Sequence, residues 1–185
     1  MIDALNYTAA DELRDGTAVT IRTIRKNDRA GLLTAFEHLD QESVYTRFFT
    51  YKRELTEMDL HELTEVNPKR VVALVVTTRI SGEEKLIGGG RYCADVTLKS
   101  AELAFMTDDA YRGRGIASLV LQHLVRIGRA NGVAIFEADV LAQNQAMLAV
   151  FRRSGLPMKK RADGSIIHLN LSLDPDQLSS PMLRN

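Results

Sequence analysis

Residues 100–130 have the sequence SAELAFMTDDAYRGRGIASLVLQHLVRIGRA. The first part, Ser100 to Thr107, predicts a β-strand because its composition and length suit one. From Ile116 onward the apolar residues recur at helical spacing, which predicts an amphipathic helix that ends at Asn131-Gly132. A short loop containing glycine joins the two elements. The stretch therefore predicts a strand–loop–helix unit, and the rest of the fold can be built outward from it.

The loop of this unit holds Arg112, Gly113, Arg114 and Gly115. Backbone N–H groups at the start of a helix have no partner within the helix, and the helix dipole adds partial positive charge. Glycine lets an anion approach the backbone closely, so the loop predicts a pyrophosphate cradle. It lacks the lysine of a Walker A loop and the glycine spacing of a dinucleotide fingerprint. It fits the pattern Arg/Gln-x-x-Gly-x-Gly/Ala through Arg112, Gly115 and Ala117.

The flanking segments extend this unit into a mixed α/β domain with a mostly antiparallel sheet. The other predicted strands are Thr17–Ile24, Arg70–Thr78, Lys85–Cys93 and Val133–Leu141, followed by a hairpin of Met158–Arg161 and Ile166–Leu171. The other predicted helices are Arg29–Leu39, Ser43–Phe49, Thr56–Val66 and Asn144–Ser154. We expect one domain over residues 17–173. Residues 1–16 are predicted to form a tail or a short surface helix, and residues 174–185 a loose tail.

Composition narrows the class of protein. The chain has 185 residues, of which 45% are hydrophobic, and this suits a single domain with a sizeable core. Lys and Arg total 24, as do Asp and Glu, so the formal charge balance favours neither a nucleic acid nor an anionic membrane as partner. The single cysteine, Cys93, fits a reducing compartment. No signal-peptide core or membrane span is present, so we expect a cytoplasmic protein, and a homodimer stays open.

Residues 19–156 resemble the Gcn5-related N-acetyltransferase family. The strand Ala101–Met106 and the following Asp109–Ala117 resemble that family's coenzyme A motif in order and spacing. The family's later helix is matched by Asn144, Ala146, Met147, Phe151 and Gly155. The front half is similar to the acetyltransferase domain of bacterial protein-lysine acetyltransferases, through Ser43–Phe49, Leu55-Thr56 and Arg91-Tyr92.

The resemblance implies acetyl-CoA as co-substrate, bound in a cleft where the sheet is splayed, with helices on both faces. The residues that it assigns to the acetyl-CoA site are Phe105, Met106, Arg112, Gly113, Arg114, Gly115, Ile116, Ala117 and Asn144. A backbone N–H near Phe105 or Met106 would bind the thioester carbonyl more strongly as its oxygen becomes an oxyanion. Glu102 is the candidate general base, because it matches a strand carboxylate of the resembling lysine acetyltransferases. Burial in the cleft would make Glu102 a stronger base.

One position departs from the family. Many relatives carry a tyrosine as general acid where this chain has Phe151, and phenylalanine cannot donate a proton. Tyr111 and Tyr92 are weaker alternatives for that role. Three functions therefore stay open: an acetyltransferase for protein lysines, an acetyltransferase for a small amine, and a coenzyme A-binding module without turnover.

The other chemically active side chains give weaker signals. No metal is predicted, because the histidines show neither metal-ligand spacing nor an acidic partner at short range: His38, His61, His123 and His168. Cys93 is expected to be a buried, inert thiol. The basic residues Arg152-Arg153 and Lys159–Arg161 either form a solvated surface or attract the 3′-phosphate of coenzyme A.

Overall fold

A computed structural model describes residues 2–37, 55–64 and 70–174. The strands are β1 (Thr8–Glu12), β2 (Ala18–Thr23), β3 (Val71–Ile80), β4 (Glu83–Ala94), β5 (Ser100–Thr107), β6 (Ile135–Leu141), β7 (Met158–Asp163) and β8 (Ile166–Ser172). The helices within these ranges are α1 (Arg29–Glu37), α2 (Glu57–Thr64), α3 (Ile116–Ala130) and α4 (Gln145–Arg153). Single 3-10 turns lie at Lys26–Asp28 and Asp109–Tyr111.

The strands form one sheet in the order β1-β2-β3-β4-β5-β6-β8-β7. Neighbouring strands are antiparallel except for β5 and β6, which are parallel. Helices pack on both faces, as the two cores described next show. The prediction of a mixed α/β fold with a mostly antiparallel sheet is therefore confirmed.

Strand β3 contributes side chains to two hydrophobic cores, one on each face of the sheet. Residues from Val72 to Thr78 are all buried, as the continuous apolar run predicted. Because side chains alternate along a strand, Leu74 and Val76 pack in the larger core with α3, and Val75 packs in the smaller core under α1 and α2.

A run of three glycines in β4 lets α3 lie directly on the sheet. A Cβ atom at Gly88 would come within 2.9 Å of the Ile116 side chain, and one at Gly90 within 2.9 Å of the Val120 side chain. Since Ile116 and Val120 are fully buried, the space that a side chain would occupy is filled by the first turns of α3. The glycines therefore fix how closely the N-terminal end of this helix approaches the sheet.

The N-terminal segment is part of the sheet, so the prediction of a tail or surface helix over residues 1–16 is wrong. Residues 8–12 pair along β2 from Thr8 opposite Arg22 to Glu12 opposite Ala18. The Tyr7 hydroxyl also lies 2.6 Å from Nδ1 of His123 on α3. Without β1, strand β2 would lie at the edge of the sheet with unpaired backbone N–H and C=O groups. Pairing with β1 gives these groups hydrogen-bond partners, and this long-range interaction outweighs the weak strand propensity of residues 8–12.

Most of the remaining predictions of secondary structure are confirmed within the described residues. Thr56 and Asp59 form the predicted capping box, in which the Thr56 N–H donates to Asp59 Oδ2 (3.0 Å) and the Asp59 N–H donates to Thr56 Oγ1 (3.2 Å). The hairpin across Asp163-Gly164 is also present. The predicted helix Ser43–Phe49 and nearly all of the predicted C-terminal tail lie outside the described residues. None of the helices in the described ranges is long and apolar enough to cross a membrane.

A buried ion pair beside β2 makes the stability depend on pH. The Arg22 guanidinium lies 2.7 Å from Asp28 and 2.9 Å from Glu84. Burial alone would raise the pKa of the Asp28 carboxyl, but hydrogen bonds from Arg22 and the Arg25 N–H, together with the charge of Arg22, outweigh it and lower the pKa. A lowered pKa contributes stability that is present above the unfolded-state value, about 4, and is lost as the pH falls through the folded-state value.

We expect Asp28→Asn to lower the free energy of unfolding by about 3 kcal/mol at pH 7, the lower end for a broken buried pair, because Glu84 still contacts Arg22. The gap between the wild type and the variant should shrink as the pH falls below about 4. Urea unfolding at several pH values measures this gap. The exposed Glu83→Gln is the control and should change little. A gap that does not depend on pH would contradict the assignment.

Candidate active site

A cleft opens where β5 and β6 diverge. The two strands pair only from Ser100 opposite Ile135 to Glu102 opposite Glu137. Beyond Glu102 they separate, and a cleft of about 860 Å³ lies between them, α3 and α4. Its volume is that of a site for a sizeable ligand. The edge of β5 that faces β6 is left unpaired along this cleft, so its backbone groups are available to an extended ligand.

At one end of the cleft the predicted loop forms an anion cradle. Gly113 and Gly115 have φ angles of +74° and +99°, a region that favours glycine. No side chain caps α3 at Gly115, and the helical hydrogen bonds begin with the Leu119 N–H donating to the Gly115 carbonyl. The N–H groups of the first turn are thus left without helical partners, and Ile116 and Ala117 line the cleft.

The cradle is built on a rigid turn. Asp108 is almost completely buried, accepts a hydrogen bond from the Ala110 N–H (2.9 Å) and lies 3.1 Å from Lys85 Nζ. Lys85 also lies 5.2 Å from the ring centre of Tyr111. These contacts fix the entrance to the loop before any ligand binds, which reduces the entropy lost on binding.

The two arginines of the loop differ in their surroundings. Arg112 lines the cleft and lies 2.6 Å from Asp109. The Arg114 side chain lies outside the cleft lining: it contacts Asp15 (3.0 Å), donates to the Ala110 carbonyl (2.9 Å) and covers the ring of Tyr111. The Arg114 side chain therefore links the loop to the turn between β1 and β2. It does not line the cleft, so the predicted contact of Arg114 with acetyl-CoA would have to come from its backbone.

A residue that no local sequence pattern singles out lies over the cradle. Arg14, between β1 and β2, lines the cleft, and its side-chain atoms lie 3.1 to 3.4 Å from where a Cβ of Gly115 would be. The Arg14 N–H donates to the Arg114 carbonyl (3.1 Å), which holds it there. Only the pairing of β1 with β2 brings Arg14 to this point, so no signal in the local sequence could have found it.

The other end of the cleft carries carboxylates. Glu102 lines the cleft on β5, between the buried Ala101 and Leu103, so it points away from the larger core. On β6, Glu137 and Asp139 are exposed between buried neighbours and lie on the same face as Glu102, which pairs with Glu137. The Glu102 side chain is exposed, so the predicted burial of this carboxylate is wrong. Within the described ranges, α1 and α2 pack on β3 and β4 of this face, with Met106 of β5 against them, and Glu102, Glu137 and Asp139 are exposed.

The structure also pairs a histidine with one of these carboxylates. His168 on β8 lies directly opposite Asp139, and its Nδ1 is 2.5 Å from Asp139 Oδ1. Asp139 lines the cleft. Asp139 is distant from His168 in sequence, so a search for acidic residues at short range along the chain could not reveal this pair, which meets only through the register of β6 and β8.

The structure places Phe151 and the two tyrosines considered as general acids in different surroundings. Phe151 is buried in the larger core and packs edge-on against Phe105. Tyr92 is buried, which raises the pKa of its hydroxyl, and it contacts Asn131 away from the cleft. Tyr111 lines the cleft but lies between Lys85 and Arg114.

The remaining predicted residues of the acetyl-CoA site also line the cleft. Phe105 and Met106 lie on its β5 side. Asn144 caps α4 by accepting a hydrogen bond from the Met147 N–H (3.0 Å), and it lines the cleft as well. Cys93 is half-buried and borders the cleft opposite Glu102, so it is less buried than predicted. Among the described residues, no group of three or more His, Cys, Asp or Glu side chains could hold a metal ion.

Comparison with known proteins bears on this site. The family model for the acetyltransferase (GNAT) family matches residues 34–156. The chain is 27% identical over 160 residues to Acetyltransferase PA5475 of Pseudomonas aeruginosa, covering 85% of this chain and 86% of that protein. It is similar to the GNAT domain of S. lividans PAT, with 31% identity, a TM-score of 0.79, and coverage of 89% of this chain and 96% of that domain. It is 29% identical over 145 residues to Acetyltransferase Pat of Mycolicibacterium smegmatis, covering 78% of this chain but only 43% of that protein.

Proposed function

Because the chain belongs to the acetyltransferase (GNAT) family, with acetyl-CoA as its co-substrate, we propose that it acetylates lysine side chains of proteins. One observation carries this proposal. A cleft connects an anion cradle at one end of β5 with exposed carboxylates at the other end. The cradle suits the pyrophosphate of acetyl-CoA, and the exposed carboxylates suit a cationic group on a large molecule.

The residues of the cleft take separate roles in this proposal. The N–H groups at the start of α3 bind the pyrophosphate, and the unpaired edge of β5 beyond Glu102 binds the extended pantetheine arm. A backbone N–H near Phe105 or Met106 donates to the thioester carbonyl. The acceptor nitrogen attacks that carbon, so a C–N bond forms and the C–S bond breaks. The thiolate that leaves takes a proton from water, since Phe151 cannot supply one.

The acceptor must lose a proton before it attacks, and Glu102 is our choice for the base. It lines the cleft and belongs to the last pair of β5 and β6 before the strands diverge, and its partner in that pair, Glu137, does not line the cleft. Because it is exposed, it would act on an amine that is itself only partly desolvated, or through a water molecule. The pair of Asp139 and His168 is the second candidate, because it borders the same cleft and couples an imidazole to a carboxylate at 2.5 Å.

The arrangement of the carboxylates favours a protein over a small amine. In the described part of the chain, Glu102, Glu137 and Asp139 are exposed and spread over two strands, and they do not enclose a cavity. A polyamine would need a dense acidic pocket to be held specifically, whereas a lysine on a protein is held largely by contacts around it. The similarity of the front half of the chain to bacterial protein-lysine acetyltransferases supports the same acceptor.

We expect loss of the gene to reduce acetylation at a set of protein lysines, as measured by quantitative mass spectrometry of the cell's proteins. Restoring the wild-type gene should restore those sites, and a gene encoding Gly115→Val should not. Purified enzyme should acetylate lysines of the same proteins and should turn over spermidine poorly. Efficient turnover of polyamines together with an unchanged pattern of lysine acetylation would replace this acceptor with a small amine.

A further inference from the structure

A second groove continues from the cleft between α3 and α4. It has a volume of about 570 Å³ and shares Arg14, Ser118, Val150 and Arg153 with the cleft. The two spaces therefore meet beside the cradle. A ligand whose pyrophosphate sits on the cradle can extend in one direction along β5 and in the other direction into this groove.

The lining of the groove has a distinct chemistry. Its apolar floor is formed by side chains from both helices and the segment after α4: Leu121, Val125, Val150 and Leu156. Among the residues that the structure describes, no carboxylate lines it, whereas four arginines do: Arg14, Arg126, Arg129 and Arg153. An apolar floor under a cluster of cations fits a flat base whose attached sugar carries a phosphate group.

Three of these arginines are available to a ligand. Arg129 donates to the Leu173 carbonyl (2.7 Å) and so is engaged within the protein. Arg14, Arg126 and Arg153 are exposed, and their side chains make no hydrogen bond or ion pair with the rest of the described chain. Unpaired arginines around one concave surface produce a positive potential that attracts a phosphate dianion.

We propose that Arg14, together with Arg126 and Arg153, binds the 3′-phosphate of coenzyme A, so that the hairpin of β1 and β2 sets the preference for coenzyme A over its 3′-dephosphorylated form. Arg14 lies outside residues 34–156, the segment that the family model matches. The hairpin is held in place by the contact of Asp15 with Arg114 (3.0 Å) and by the Arg14 N–H.

The structure also divides the basic cluster found in the sequence. Arg153 lines the groove, whereas Arg152, Lys159, Lys160 and Arg161 do not. Arg152 is exposed and adjacent to Arg153 in the chain, which makes Arg152→Ala a matched control for charge and position. The inference depends only on the binding of coenzyme A and not on the identity of the acceptor.

The test is calorimetric titration of the wild type and the variants with coenzyme A and with 3′-dephospho-coenzyme A. We expect the wild type to prefer coenzyme A by about tenfold or more, which corresponds to about 1.4 kcal/mol. Arg14→Ala and Arg153→Ala should each lower the affinity for coenzyme A several-fold and leave the affinity for the dephosphorylated form almost unchanged. The double variant should no longer prefer coenzyme A. Arg152→Ala should keep it. Higher salt should reduce the preference of the wild type, because the contacts are exposed.

Three results would overturn the inference. Equal affinity of the wild type for the two nucleotides would show that the 3′-phosphate is not bound. If Arg14→Ala lowered the affinity for both nucleotides equally, Arg14 would contact the pyrophosphate, which both nucleotides carry, instead of the 3′-phosphate. If Arg152→Ala lost the preference for coenzyme A as much as Arg153→Ala does, the preference would depend on the net surface charge and not on the groove. If the wild type bound neither nucleotide, the assignment of acetyl-CoA itself would fail, which separates that failure from this one.

Discussion

Gly115→Val is expected to weaken acetyl-CoA binding by about two orders of magnitude or more. The residue has a φ angle of +99°, which a β-branched side chain avoids, and a Cβ there would meet the Arg14 side chain at 3.1 Å. The change would both distort the first turn of α3 and keep the pyrophosphate away from its N–H groups. Several charge-assisted hydrogen bonds of about 1.5–3 kcal/mol each would be lost together.

Calorimetric titration with acetyl-CoA measures this loss. Gly164→Val is the matched control, because Gly164 also has a positive φ (+57°) but lies in the hairpin turn between β7 and β8 with open space around it. The control should lose stability and keep acetyl-CoA affinity. A folded Gly115→Val protein that binds acetyl-CoA like the wild type would show that the cradle is not the binding site.

Glu102→Gln is expected to lower turnover by about 100-fold while acetyl-CoA affinity stays nearly constant. The value lies at the low end of the usual range for a general base, because the Glu102 side chain is exposed. Turnover should recover partly at high pH, where a larger fraction of the acceptor is already the free amine. A pH–rate profile with a protein substrate found in the cell-wide comparison measures both effects.

Two further variants separate the candidate bases. Glu137→Gln changes the neighbouring carboxylate on the same face, and it should leave the pH–rate profile unchanged because Glu137 does not line the cleft. His168→Gln removes the imidazole that contacts Asp139. Full activity of Glu102→Gln at neutral pH, together with a strong loss in His168→Gln, would transfer the role of base to the Asp139–His168 pair.

The strand–loop–helix unit could be predicted from the sequence because its signals are local. The spacing of apolar residues along α3 indicates which side of the helix is buried. The glycines at positions 113 and 115 indicate a backbone that can adopt positive φ angles. Both arise within a few residues of chain, so a reading of the sequence is enough to find them.

The parts of the site that could not be predicted depend on pairing between distant segments. β1 has the sequence TAADE, which has little strand propensity, and it is a strand because β2 offers an edge. Arg14 reaches the cradle through that pairing. Asp139 and His168 meet only because β6 and β8 pair in one particular register, and a shift of one residue would place them on opposite faces.

The error about Glu102 has a related cause. Alternation along β5 correctly placed Glu102 on the face opposite Leu103, but it could not show whether anything covers that face. In the part of the chain that the structure describes, α1 and α2 pack on β3 and β4, and Glu102 and the carboxylates of β6 are exposed. Burial is a property of the whole packing arrangement, so it is predicted less well than the direction of a side chain.

The central claim is that this cleft transfers the acetyl group to an amine and does not merely bind coenzyme A. The most direct measurement incubates the purified protein with acetyl-CoA carrying a radiolabelled acetyl group and with a cell protein extract, and it follows both free coenzyme A and the label on protein. We expect coenzyme A and protein-bound label in equal amounts, with the label stable to hydroxylamine as an amide is, and neither product with Gly115→Val. Tight binding of acetyl-CoA without release of coenzyme A to any protein or small amine would contradict the claim, and would identify a binding module without turnover.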